Sequence, residues 1–160
     1  MSIELVKTNR GLCAFTMGER LFAIDVALVS EVVKVESAIP VPRSPSFVLG
    51  LFGLRGAPIA LLDLEEILGI GEPQGQKAVN TALVVKHDDL VVAFAIDRLE
   101  AVVTPDRGVE SPADASDHPA VSHFVTLDDA PNARVLTILD AEFLLHRLDA
   151  VRLRKESALQ

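Results

Sequence analysis

The chain has no tryptophan and no tyrosine. Stacking platforms for bases and aromatic cages for cationic ligands are built from such rings, so both kinds of site are disfavoured. There is one cysteine, Cys13. A single thiol can form neither an internal disulfide framework nor a cysteine-based metal site. It lies in the apolar run Leu12-Cys13-Ala14-Phe15, so core packing is the expected role rather than reactivity. Positive charge is scarce: 15 Lys and Arg stand against 23 Asp and Glu, a net charge of −8. Such a chain repels phosphate backbones and anionic lipid surfaces, which argues against nucleic acid as a partner. Its basic residues cluster only near the end, at Arg147, Arg152, Arg154 and Lys155, as on a solvated helix face. Long apolar runs are missing as well. A membrane helix needs about 18 such residues, and the longest candidate, 47–62, is broken by Gly50, Gly53, Arg55, Gly56 and Pro58. The first seven residues are too polar for a signal peptide. A cytoplasmic protein without direct membrane insertion is expected.

Catalytic patterns are missing in the same way. There is no Gly-x-Ser-x-Gly, no P-loop and no dinucleotide fingerprint. His87, His118, His123 and His146 are scattered and match no zinc-binding spacing. The acidic loop residues Asp114, Asp117, Asp128 and Asp129 lack the alternating ligands and central glycine of a calcium loop. The expectation is a non-enzyme with no catalytic residues, no cofactor and no metal.

What is present is a chain of 160 residues, 49% apolar, enough for one domain with its own core. Residues 12–15 and 20–25 read as strands joined by a turn at Met17-Gly18-Glu19. Asp25 caps a short helical turn holding Leu28, Val29, Val32 and Val33 on one side, after which the β-branched residues return the chain to strand. Pro40, Pro42 and Pro45 make a rigid extended loop. Residues 47–56 suit a strand with bulges, turning at Arg55-Gly56, and 58–62 a further strand. Asp63 with Glu66 opens a short helix that Gly69 stops. A linker over 71–77 precedes strands at 82–86 and 90–96, with a turn at 87–89. Residues 104–119 read as a long polar loop. Strands return at 124–127 and 134–139, across a turn at 128–132. From Asp140 the spacing of Phe143, Leu144, Leu148, Val151 and Leu153 is helical.

The strongest pattern is an internal duplication. Phe22-Ala23-Ile24-Asp25 recurs as Phe94-Ala95-Ile96-Asp97, and Leu62-Asp63-Leu64-Glu65 as Leu139-Asp140-Ala141-Glu142. Both pairs come in the same order at similar offsets, so two related small β lobes are expected in tandem. Short strands at this spacing close most readily into barrels, which abolish exposed edges. Lobes this small have marginal cores alone and should pack together with a groove between them.

Several motifs carry a resemblance. The segment Pro42-Arg43-Ser44-Pro45-Ser46-Phe47-Val48-Leu49-Gly50-Leu51-Phe52-Gly53-Leu54-Arg55-Gly56, then Ile59 to the Asp63-Leu64 pair, resembles the signature of the CheW-like domain family. Phe22 to Asp25 with Val29, Glu31 and Val32, Ile96-Asp97 with Val102, and Leu136 to Leu145 fit it too, so the likeness spans residues 10–148 as a single domain. The resemblance implies a mainly β fold of two tandem, intertwined five-stranded, SH3-like β-barrel lobes (about 26–80 and 81–140, with strand exchange), short helices, and a C-terminal helix whose end and tail are residues 149–160. It implies a stand-alone chemotaxis-type adaptor. The partners would be the cytoplasmic tip of methyl-accepting chemoreceptors and the regulatory domain of a CheA-type histidine kinase, with self-association in arrays compatible with that role. Alternatives are a specialised paralogue serving a non-swimming pathway, or a small-molecule-binding barrel. By position, Val29, Glu31, Gly50 and Arg55 match family positions linked to receptor coupling, and Pro42, Phe47, Phe52 and Gly56 belong to the interaction loop. Two positions depart from the family pattern. Gly53 stands where Asn is usual, and His123 where a glycine often precedes the last hairpin.

Arg55, on a tight turn with little polar company in sequence, is placed to pair with a carboxylate or carbonyl across an interface. The apolar residues of 47–52 exceed what one strand face needs, so they are covered by the other lobe or left for a helical partner.

Overall fold

The computed structural model describes residues 11–70, 80–103, 108–127 and 134–148. Three hairpins with described tight turns frame the architecture. β1 (Leu12–Met17) and β2 (Arg20–Asp25) pair so that Phe15 faces Phe22, with ring centroids 6.1 Å apart. Gly18 and Glu19 turn the chain with φ of 53° and 40°, the left-handed pair that a tight hairpin turn of matching twist requires. After β3 (Val29–Lys34), the hairpin of β4 (Val48–Leu54) and β5 (Ala57–Leu62) turns in the same way, through Arg55 and Gly56 at φ 51° and 80°. β6 (Thr81–His87) and β7 (Leu90–Ile96) form the third.

Each Phe-Ala-Ile-Asp segment ends a hairpin, and after each Asp the chain crosses to the other sheet. Asp25 accepts the Ala27 N–H at 2.9 Å and caps a 3-10 turn, Val26–Leu28. The helical turn is shorter than expected, because Val29 to Val33 lie in β3, which pairs with β6. Asp97 accepts the Gly18 N–H at 2.7 Å, and β8 (Arg98–Val103) pairs with β1. The result is a five-stranded sheet ordered β3-β6-β7-β5-β4. The six-stranded partner is ordered β8-β1-β2-β11-β10-β9, where β9 is Gly108–Pro112, β10 Val121–Leu127 and β11 Arg134–Leu139. Apart from β9 the two orders correspond, with a parallel β5–β7 ladder in one and a parallel β11–β2 ladder in the other.

The expected SH3-like barrels are not formed. Both sheets are open: among the described residues no ladder joins β3 to β4, or β8 to β9. In the five-stranded sheet the reason is local. The edge of β4 is taken by Ile39, which exchanges two backbone hydrogen bonds of 2.8 Å with Leu51. Pro40 follows and has no N–H to extend a ladder. The proline segment is also less extended than expected. Ser44 donates to the Val41 carbonyl from backbone and side chain, and Arg43 sits at φ 61°. The long loop expected at 104–119 is corrected as well, since Gly108–Pro112 is a strand. Its Val109 and Glu110 pair with Thr126 and Val125. The linker over 71–77, the turn over 128–132 and the tail over 149–160 lie outside the described residues.

Burial explains why the strands are so apolar. In β6, Leu83 and Val85 face a core shared with Phe15, Phe22 and Ile24 of the other sheet. Ala82 and Val84 face a second core with Phe52, Ile59 and Leu61, enclosed by the curl of their own sheet. Leu12, Ala14, Ala23, Val125, Leu136 and Ile138 form the matching core of the six-stranded sheet. Central strands are thus covered on both faces, which favours continuous apolar runs over clean alternation. Full burial of each large side chain is worth about 1.5–3 kcal/mol, and the shared core is what locks the sheets together.

The duplicated strand–Asp–helix units close that core. Asp63 accepts the Glu66 N–H at 3.3 Å, starting the helix Leu64–Leu68, and Gly69 ends it at φ 69°. Asp140 accepts the Phe143 N–H at 3.1 Å, starting a helix over 141–148. Leu64, Leu68, Leu144 and Leu145 are buried in the shared core.

Candidate functional site

Glu31 and Arg55 are brought together across the five-stranded sheet, whereas Gly50 lies near the start of β4 and Arg55 just past its end, and bulges decide how the side chains face. In β3 a bulge separates Val29, opposite Val85, from Glu31, opposite Val84. Strict alternation would set both side chains on one face, and the extra residue Ser30 sets them on opposite faces. Val29 therefore packs, partly buried, on the shared core, while Glu31 turns to the side of the sheet's own core. In β4 a second bulge follows Val48, leaving Gly50 opposite Leu61.

Glu31 meets Arg55. Arg55 Nη2 donates to Glu31 Oε1 at 3.0 Å, and Nη1 donates to Oε2, a two-pronged pair. The Glu31 hydrogen bond and then its charge hold the Arg55 guanidinium above its ordinary pKa. Arg55 remains 74% exposed in its side chain and Glu31 22%, so the guanidinium faces solvent with its fork oriented. The expected partner for Arg55 lies across an interface; within the chain its carboxylate partner is Glu31.

Gly50 serves backbone approach. A Cβ there would lie 2.7 Å from the Ile39 carbonyl oxygen, and its φ of 153° is one that side chains rarely adopt. Gly50 thus admits Ile39 to the edge of β4. Ile39 itself is 73% exposed; sequence reasoning missed it, although an apolar residue directly before Pro40 in a polar approach was a usable signal. Pro42 and Gly56 are exposed. Phe47 is partly buried on the shared core. Phe52, expected in the interaction loop, is 8% exposed, and its ring fills the five-stranded sheet's own core. Gly53 faces open space: a Cβ there would meet nothing within 4 Å.

The two sheets pack on each other through the shared core. A cavity of about 430 Å³ opens on the six-stranded sheet, lined by residues such as Arg20, Glu100, Arg134 and Thr137. Among the described residues no group of three or more His, Cys, Asp or Glu could hold a metal ion, and no helix is long and apolar enough to cross a membrane.

Comparison with known proteins gives the same direction. Residues 11–149 match the family model of the CheW-like domain. The chain is 32% identical over 135 residues to a chemotaxis protein CheW of Helicobacter pylori, covering 83% of this chain and 79% of that one. It is 32% identical over 118 residues to a chemotaxis protein CheW of Rhizobium meliloti, covering 71% and 74%. Its fold is similar to the crystal structure of the scaffolding protein TtCheW from Thermoanaerobacter tengcongensis, with a TM-score of 0.68, 24% identity, and coverage of 82% of this chain and 89% of that one.

Proposed function

The chain belongs to the CheW-like domain family, and from that premise we propose that it is a chemotaxis-type signalling adaptor. It couples the cytoplasmic tips of chemoreceptors to the regulatory domain of a CheA-type histidine kinase. It acts through contacts and carries out no chemistry of its own.

The observation that carries this reading is the reach of the family match, which takes in both sheets and the whole coupling segment. The geometry of Arg55 supports it. A guanidinium held by Glu31 on a turn with two left-handed residues is pre-oriented, so little freedom is lost when it docks. In this reading Arg55, Glu31, Ile39, Pro42 and Gly56 form the receptor-facing surface. Gly50 and Val29 act beneath it, one admitting Ile39 and the other seating β3.

Co-sedimentation with receptor-containing membranes, with and without the kinase, tests the assignment. The purified chain should pellet with receptors and should raise kinase recovery in the pellet. A chain that binds neither a receptor signalling tip nor a kinase regulatory domain would remove the adaptor reading.

A further inference from the structure

The two sheets repeat one another down to their bulges, and the repetition fails at one position. In β4 the bulge follows Val48 and sets Gly50 opposite Leu61. In β10 it follows Val121 and sets His123 opposite Ile138. Leu61 and Ile138 are the same position of the duplicated strand, one residue before the leucine of Leu-Asp, so Gly50 and His123 are structural twins. The next residues correspond too: Leu51 faces Ile39 just ahead of Pro40, and Phe124 faces Ser111 just ahead of Pro112. Where one sheet has a glycine and a single bridge, the other has an imidazole and a full edge strand, β9.

That imidazole is buried, with 6% of its side chain exposed. Nδ1 lies 3.0 Å from Ser122 Oγ. Nε2 is buried with no hydrogen-bond partner among the described residues. The carboxylate of Glu110 on β9 lies 3.6 Å from it, too far for a hydrogen bond but close enough to feel its charge. The ladder sets Ile138 of β11 opposite His123, and Ala23 of β2 beside Ile138. Neither titrates, so among the described residues Glu110 is the charged group facing the ring from the elements packed on it. Among the described residues β9 is the last strand of its sheet and pairs only with β10.

We propose that the buried His123 is a pH-sensitive latch on strand β9, tempered by the nearby Glu110 carboxylate. The neutral imidazole keeps β9 seated, and its protonation on acidification releases β9 from the edge of the six-stranded sheet.

The sign follows from two opposed effects. Burial pushes His123 below the ordinary 6.5, and the Glu110 charge pulls it back by less. Peeling β9 away hands the ring to water and restores its ordinary value, so the peeled form takes up the proton more readily. Seating is at full strength above the ordinary value and is lost as pH falls through the lower value of the seated ring. A peeled β9 bares the edge of β10, a template for an added strand.

Hydrogen exchange on the full chain, corrected for the intrinsic chemical rate, tests the latch. Between about pH 7.5 and about pH 5, opening of a peptide spanning 108–127 should rise relative to peptides of the five-stranded sheet. His123→Gln should abolish that response, and Glu110→Gln should steepen it. Equal corrected protection at both pH values, or an undiminished response in His123→Gln, overturns the proposal. Should His123→Gln misfold, an NMR titration of the wild-type imidazole decides. A midpoint below that of a free histidine, accompanied by shifts of the β9 and β10 amides, supports the latch; a midpoint at or above it, or unchanged amides, overturns it.

Discussion

Glu31 and Arg55 belong to opposite borders of the five-stranded sheet, yet their side chains meet in a two-pronged ion pair. Glu31 lies on the border strand β3, and Arg55 turns the chain out of the other border strand, β4. The sheet curls far enough for a side-chain pair to span its mouth where no backbone ladder does.

Arg55→Glu should break that pair and set two carboxylates together. Exposed pairs contribute little to stability, so the melting temperature should move by no more than about 2 °C. Receptor co-sedimentation should fall by about 10-fold or more, as when a charge oriented at an interface is lost. The charge swap Glu31→Arg with Arg55→Glu separates two roles: restored coupling means that the pair's geometry matters, and continued loss means that Arg55 itself touches the partner. A collapsed melt in the single variant would make Arg55 structural.

Gly50→Ala should destabilise the chain by about 1–3 kcal/mol in urea denaturation, from the strained φ and the crowding against Ile39. Gly53→Asn should lie within about 0.5 kcal/mol of the parent, since its side chain enters open space. Equal effects from the two glycines would refute the distinct places assigned to them.

Phe52→Ala should cost about 3–5 kcal/mol, the usual range for emptying a buried ring site. Coupling measured well below the unfolding transition should remain near the parent's, because the ring presents no surface. Val29→Asp should both lower the melt and weaken receptor binding, since Val29 seats β3 beneath Glu31; unaltered affinity would detach Val29 from the site.

Burial pushes the Cys13 thiol up from its ordinary value, so its thiolate is scarce as well as shielded. At about pH 8 it should react with a chromogenic disulfide reagent about 100-fold more slowly in the native chain than after denaturation. A fast native reaction would show that β1 opens readily.

Short-range features are legible in the amino-acid sequence. The hairpins at Gly18-Glu19 and Arg55-Gly56, the Asp63 and Asp140 caps and the stop at Gly69 each depend on residues within four positions of one another. A turn or cap forms wherever its own few atoms fit. The duplication is legible for the same reason, because each strand–Asp–helix unit carries its signals locally. The coupling residues can be found as positions, but their roles cannot.

Those roles belong to contacts between distant segments. Glu31 and Arg55 are 24 residues apart and meet only because the sheet curls. A bulge at Ser30 turns Val29 and Glu31 to opposite faces, and no local pattern announces where a ladder will slip by one residue. Phe52 reads as a candidate contact until the curl encloses it. Short strands point to barrel closure, yet both sheets stay open, and in the five-stranded one Ile39 takes the edge of β4. By itself the amino-acid sequence determined most of the strands and tight turns, though not β8 or β9, and that the unit is doubled. The tertiary structure decided which sheet each strand joins, which face each side chain takes, and that His123 is buried where its twin Gly50 has no side chain. Pairing partners and facing depend on packing summed over the whole chain, which no single window of residues contains.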